Sequence, residues 1–299
     1  MKNAQNKRFG LILRTFATKP DDVIKRVEQV IETIKKAEKL NLEQGDRSFF
    51  SRIDVLVWAD DRFDDADCGL TTRTLRDALY KQKKVFVSEV KNGDLYCTLL
   101  NYGIAKQLRD RVDYSFIMSS EAESYLNQET IERILQAIDD KARAIGVEVD
   151  ELAPFVQEGR LANTFCCWHN VSLMSIGGFD LHAAKLPPNK GNEENTSPQH
   201  AYVEGHHEKH GKVFYQLAGT EEIIPLVRLV EIYGKCLASV SPAGEGLKKY
   251  QIPDPKTDSK LYLRHIAKMA TKLKRQAAML DSVNKKPSLL KNGLIDSTL

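Results

Sequence analysis

Three groups of acidic residues have the types and spacing to do chemistry. They are Asp60-Asp61 with Asp64, Asp65 and Asp67, the run Ser119-Ser120-Glu121 with Glu123, and the pair Glu221-Glu222. A fixed carboxylate accepts an N–H, binds a hard cation, or takes a proton from a hydroxyl within hydrogen-bond reach. Each group also has a structural reading. The first can be a solvated loop, and Glu221-Glu222 can simply be favourable charge at a helix N-terminus. Two further clusters invite a chemical reading and do not sustain it. His200, His206, His207 and His210, with Glu204 and Glu208, lie in a polar Pro/Asn-rich stretch, whereas zinc sites draw their ligands from ordered elements. Cys166-Cys167-Trp168-His169 lies in an apolar segment, where adjacent cysteines behave as core.

The elements that must position these residues follow from periodicity. Phe9 to Leu13 is a short apolar run, a buried strand. After it, Pro20-Asp21-Asp22 suits a helix first turn, and Val23, Ile24, Val27, Val30, Ile31, Ile34 and Leu40 recur at helical spacing. Ile53–Trp58 predicts a second strand, Thr72–Tyr80 a short helix, and Val85–Val90 a third strand. Leu99–Arg109 predicts a helix and Tyr114–Met118 a fourth strand. Asn127 is placed to cap a helix with Ile131, Ile134, Leu135, Ile138 and Ile145 on one face and Gly146 ending it. Phe165–His169 and Val171–Ile176 read as strand or buried segment, closed by Gly177-Gly178. Glu221-Glu222 opens a helix with Ile223, Leu226, Val227, Leu229 and Val230. A last helix is expected over 259–283, with 284–299 frayed.

Strand–helix–strand repetition implies a mainly parallel sheet with helices on both faces. Ligands of such sheets bind beyond the carboxyl ends of the strands. Arg14 and Thr15, Asp60 and Asp61, and Ser119 to Glu123 follow three different strands, so they are expected to converge on one crevice.

Composition narrows the class. The hydrophobic fraction is 42% and the charged fraction 28%, enough for a globular core. Five cysteines without paired spacing fit a reducing compartment, and no apolar run approaches the length of a membrane helix. The expectation is a soluble, cytoplasmic protein. From Gly246 onward there are twelve Lys and Arg against four Asp, a net +8 in a chain whose total is +3, leaving −5 for the rest. That asymmetry suggests two parts, residues 1–245 and a basic helical extension over 246–299. The extension suits a peripheral membrane surface or a protein partner. It lacks interleaved aromatics, so nucleic acid is not expected.

The order of short motifs resembles that of GT-A-fold glycosyltransferases, specifically the inverting glycosyltransferase family 2. Asp60-Asp61 with Asp65 is similar to its Asp-Asp-Gly-Ser-x-Asp element, and Asn101-Tyr102-Gly103 to its Asn-x-Gly. Asp113–Met118 resembles the strand before its Asp-x-Asp motif, and Ile176-Gly177-Gly178-Phe179-Asp180 its Gly-Gly-Phe-Asp element. Thr220-Glu221-Glu222 with Arg228-Leu229 resembles its Glu-Asp…Arg-Leu segment. The resemblance implies a GT-A-like α/β fold over roughly residues 8 to 240, with a mixed, mainly parallel sheet flanked by helices. It implies transfer of a sugar, as in hexosyltransferases, from a nucleotide-diphosphate donor to an acceptor hydroxyl with inversion. Arg14, Thr15, Asp60, Asp61 and Asn101 would then hold the nucleotide. Gly177, Gly178 and Asp180 would line the acceptor side, and Glu222, or Glu221, would be the base. The segment 181–213 would shape the acceptor site. A divalent cation, Mg²⁺ or Mn²⁺, would fall to Glu121 and Glu123. Ser119 stands where the motif has its first carboxylate, which weakens that ligand set. The same substitution favours the alternative, a non-catalytic relative that binds nucleotide sugar or serves as a scaffold. A nucleotidyltransferase would need a glycine-rich loop after the first strand, and Arg14–Lys19 has no glycine.

Overall fold

The computed structural model describes residues 4–15, 20–41, 48–59, 65–91, 96–148, 164–179, 207–209, 212–214, 222–247, 254–263, 277 and 279–295. Among the described residues nine strands lie in the order β1 Phe9–Thr15, β2 Phe50–Ala59, β3 Val85–Lys91, β4 Tyr114–Ser119, β5 Ala144–Val147, β6 Phe165–His169, β7 His207–Lys209, β8 Lys212–Phe214 and β9 Leu237–Val240. The helices are α1 Pro20–Glu38, α2 Asp65–Leu79, α3 Tyr96–Arg109, α4 Gln128–Asp139, α5 Asn170–Ser175, α6 Ile223–Tyr233 and α7 Pro287–Asn292. Seven strands form one sheet in the order β3-β2-β1-β4-β6-β5-β9, and β7-β8 is a separate antiparallel pair. Only β6 runs against its neighbours in the main sheet, pairing antiparallel with β4 and β5. The mixed, mainly parallel sheet flanked by helices is thus as expected.

Alternation along the strands divides the core in two. Leu11, Leu13, Val55, Val57, Phe116 and Met118 face α1, α2 and α4. Ile12, Leu56 and Ile117 face α3, α5, α6 and the C-terminal residues Met279, Leu280 and Leu290. The connections through α1 and α2 step outward from β1 to β3 on one face, and α3 returns to β4 across the other. The chain therefore leaves β1 in one direction and β4 in the other, and a switch of this kind opens a crevice at the carboxyl ends of the two strands. Gly103 lets α3 approach the sheet there: a Cβ on it would lie 2.9 Å from Leu56 and 3.0 Å from Ile12.

Four local expectations differ from the structure. Val171–Ile176 is mostly the short helix α5, whose N-terminus His169 caps by accepting the Ser172 N–H. Asn127 does cap α4, accepting the Thr130 N–H at 2.9 Å, but the helix ends at Asp139. Lys141 takes the left-handed conformation (φ 71°) without a glycine, and Ile145 and Gly146 belong to β5. Residues 284–295 are ordered, not frayed. Leu290 is buried, Leu237 and Leu294 form a parallel bridge, and Gly293 O accepts the N–H groups of Cys236 and Leu237 at 2.8 and 2.9 Å. A helical C-terminal extension thus packs against the β9 edge. Of the expected helix over 259–283, residues 264–276 and 278 lie outside the described residues.

Candidate functional site

The crevice between β1 and β4 is lined from both strands and from α6. Arg14 on β1 is in register with Ser119 on β4, so these two strand ends lie side by side. Arg14 and Glu222 line one cavity with Leu100, Ile117, Cys166, Trp168 and Phe179. Its volume is about 10 Å³, room for a single water. Glu222 is the N-cap residue of α6 and is only 2% exposed. One charged residue from a strand end and one from a helix start thus meet against an apolar wall.

Three motif segments are tied together just behind that wall. The Asn101 side chain donates from Nδ2 to Phe179 O at 2.8 Å and accepts the Phe179 N–H at Oδ1, also at 2.8 Å. Arg228 on α6 donates from Nη1 to Ile176 O at 2.9 Å. The turn between them needs glycine, because Gly177 and Gly178 have φ of 97° and 74°. A Cβ on Gly178 would also stand 2.5 Å from Asn101 Oδ1. Asn101, placed by sequence with the nucleotide, has its amide engaged by this turn. Trp168 packs edge-on against Phe179 at 5.1 Å between ring centroids and donates from Nε1 to Cys166 Sγ at 3.3 Å.

Other expected site residues fall elsewhere. Thr15 points to the opposite face of the sheet from Arg14, where its buried hydroxyl has no hydrogen-bond partner among the described residues. Glu123 Oε2 lies 2.8 Å from Lys36 Nζ on α1, also on that opposite face. Glu121 follows β4 on a short 3-10 turn. Among the described residues no group of three or more His, Cys, Asp or Glu side chains is placed to hold a metal ion. With Glu123 held by Lys36 and serines at the two positions after Met118, the described residues do not fit a divalent cation. Asp60, Asp61, Asp180 and Glu221, and His200, His206 and His210, lie outside the described residues. Burial pushes the Cys167 thiol well above its ordinary pKa, with Cys166 beside it adding to the effect, as suits a core cysteine. The cavity wall of Leu100, Ile117, Trp168 and Phe179 was not legible as part of a site, because apolar residues in strands and helices carry no chemical signal of their own. Arg228 was visible only through its motif.

The sequence matches no protein-family model and no curated protein. Solved structures are similar to it at a distance. Glucosyl-3-phosphoglycerate synthase from Mycobacterium tuberculosis, in complex with Mg²⁺ and uridine diphosphate, is 11% identical, with 98% of this chain and 82% of that chain covered and a TM-score of 0.46. 4-Diphosphocytidyl-2C-methyl-D-erythritol synthase from Anaerococcus prevotii is 9% identical, with 88% and 98% covered and a TM-score of 0.45. A cytidylyltransferase from Leptospira borgpetersenii is 11% identical, with 98% and 100% covered and a TM-score of 0.41. These likenesses concern the fold alone. The strand order and layers of the chain itself are consistent with a GT-A-like fold. Among the described residues no helix is long and apolar enough to cross a membrane.

Proposed function

We propose that this chain is a cytoplasmic GT-A-type protein that binds a nucleotide-diphosphate sugar at the carboxyl ends of β1, β2 and β4 and transfers the sugar to an acceptor hydroxyl with inversion. The observation that carries the reading is the meeting of Arg14 and Glu222 in one cavity at the β1–β4 switch point. Arg14 supplies positive charge where the diphosphate leaves. The acceptor oxygen bonds to the anomeric carbon as the bond to the nucleoside diphosphate breaks, and Glu222 takes the acceptor proton. Asp60 and Asp61 hold the base, and Gly177, Gly178 and Asp180 border the acceptor. Residues 1–245 carry this site, and the basic extension over 246–299, part of which packs into the second core, presents its charge to a separate anionic partner.

A second reading, a non-catalytic nucleotide-sugar binder, is favoured by the burial of Glu222. At 2% exposure it meets an acceptor only after the start of α6 moves. Calorimetry with uridine, guanosine, cytidine and thymidine diphosphates, coupled to a donor-turnover assay with and without Mn²⁺, separates the two. Under the first reading one diphosphate binds, Arg14→Ala weakens it at least about tenfold, and Glu222→Gln keeps binding but lowers turnover by roughly 10²–10⁴-fold. Binding without turnover in the unaltered protein establishes the second reading. Absence of binding by all four removes both.

A further inference from the structure

We propose that the amino end of the sheet carries an oxyanion site, built on Arg143, Ser172 and Tyr233, that takes a phosphate or carboxylate group. Arg143 immediately precedes β5, and its backbone is pinned on both sides. Its N–H donates to Cys236 O at 2.7 Å and its carbonyl accepts from His169 N at 2.8 Å. Its guanidinium stacks over the Tyr233 ring, 3.9 Å from the centroid, and donates from Nη1 to Ser172 Oγ. Ser172 Oγ in turn lies 2.7 Å from His169 Nδ1, so the hydroxyl proton goes to the imidazole and the oxygen lone pairs face Arg143. This chain holds the guanidinium in one orientation. A guanidinium has five N–H donors in a rigid fork that matches an oxyanion, and among the described residues no carboxylate lies within ion-pair distance of this one. Asp113, the acid that acts on His169, accepts the Arg8 N–H at 2.8 Å and lies 3.7 Å from Lys7 Nζ.

The surroundings suit an anion. Burial lowers the His169 pKa to about 4, and Arg143 and then Lys7 add to the effect against the opposing pull of Asp113. His169 is therefore neutral at physiological pH, and the charge beside Ser172 is that of Arg143. The site is open to solvent: Tyr233 is 37% exposed, and Val171 and Ile232 beside it on α5 and α6 are 56% and 61% exposed. It is also separate from the nucleotide crevice. Glu222 and Tyr233 stand at opposite ends of α6, whose eleven residues span about 16 Å at 1.5 Å each.

The test follows the His169 ring by ¹H–¹⁵N NMR in the full chain while inorganic phosphate, or acetate in a parallel arm, is added at constant ionic strength. Saturable binding is expected with a Kd on the order of 1 mM. As the anion neutralises Arg143, the His169 titration midpoint moves upward from about 4. Saturation by phosphate but not acetate assigns a phosphate-bearing ligand, and saturation by both admits carboxylates. Arg143→Gln removes the response. Should that variant unfold, Arg143→Lys keeps the charge but loses the fork and binds about tenfold more weakly. A drift matched by chloride, or unchanged phosphate binding in both variants, overturns the proposal. Nucleotide binding enters none of these outcomes.

Discussion

Arg52 shows what a single pair can carry in this core. Its Nε and Nη2 each lie 2.7 Å from an Asp54 oxygen, and Nη1 reaches Asp110. Asp54 Oδ2 also accepts from Gln107 Nε2 at 3.0 Å, and Ser115 Oγ donates to Gln107 Oε1 at 2.6 Å. Both members of the pair are buried, and Phe86 closes over the guanidinium at 4.0 Å. Removing one partner leaves a buried charge without compensation. Arg52→Ala should therefore lose about 3–5 kcal/mol in urea denaturation. A loss below about 1 kcal/mol would mean that desolvation nearly cancels the attraction in the intact pair. Nothing in the sequence announced this network, because Gln107 and Asp110 lie more than fifty residues from Arg52 and only α3 brings them over β2. Arg14 and Glu222 were legible as polar positions at element ends, and Asn101 through its motif. Their contacts were not: a motif gives a position, whereas the direction of a side chain depends on packing.

The elements were legible in proportion to their length. α1 and α4 carry enough turns for helical period to show, and β1 to β4 are apolar runs bounded by polar residues. α5 has six residues, too few to separate a helix from a buried strand by period. β5 and β9 have four residues each, so Ile145 of β5 merged with the pattern of α4 and β9 was too short to show a period of its own. The join between α3 and the glycine turn after α5 rests on the Asn101 amide. Asn101→Ala leaves the Phe179 N–H and carbonyl without those partners and should cost about 1–3 kcal/mol. Amide exchange at Phe179 should quicken in the same variant. An unchanged exchange rate there would show that the turn holds its shape without Asn101.

For the molecule as a whole, composition exposed an asymmetry of charge along the chain and said little about packing. The basic C-terminal residues suggested a segment with its own partner, yet Met279, Leu280 and Leu290 enter the second core. The pairing of Gly293–Ile295 with Leu237 is made by backbone groups, which side-chain patterns do not encode. Gly293 is needed for the approach, since a Cβ on it would run into the Val230 side chain. Deleting residues 285–299 should therefore lower the melting temperature and expose β9 for pairing with other chains. Light scattering should show self-association that the full chain does not. A truncated protein that stays monomeric and melts at the same temperature would reduce the C-terminal packing to decoration.

That pairing has a consequence for synthesis. β9 terminates the sheet, and the residues that cover it come fifty-five positions after Val240. At ribosomal speeds of about 5–20 residues per second, the nascent chain waits roughly 3–11 s between making the last strand and making its cover. Through that interval the strand offers its free amides to any neighbour on the polysome. A chaperone that shields extended edges would act on this protein late in translation.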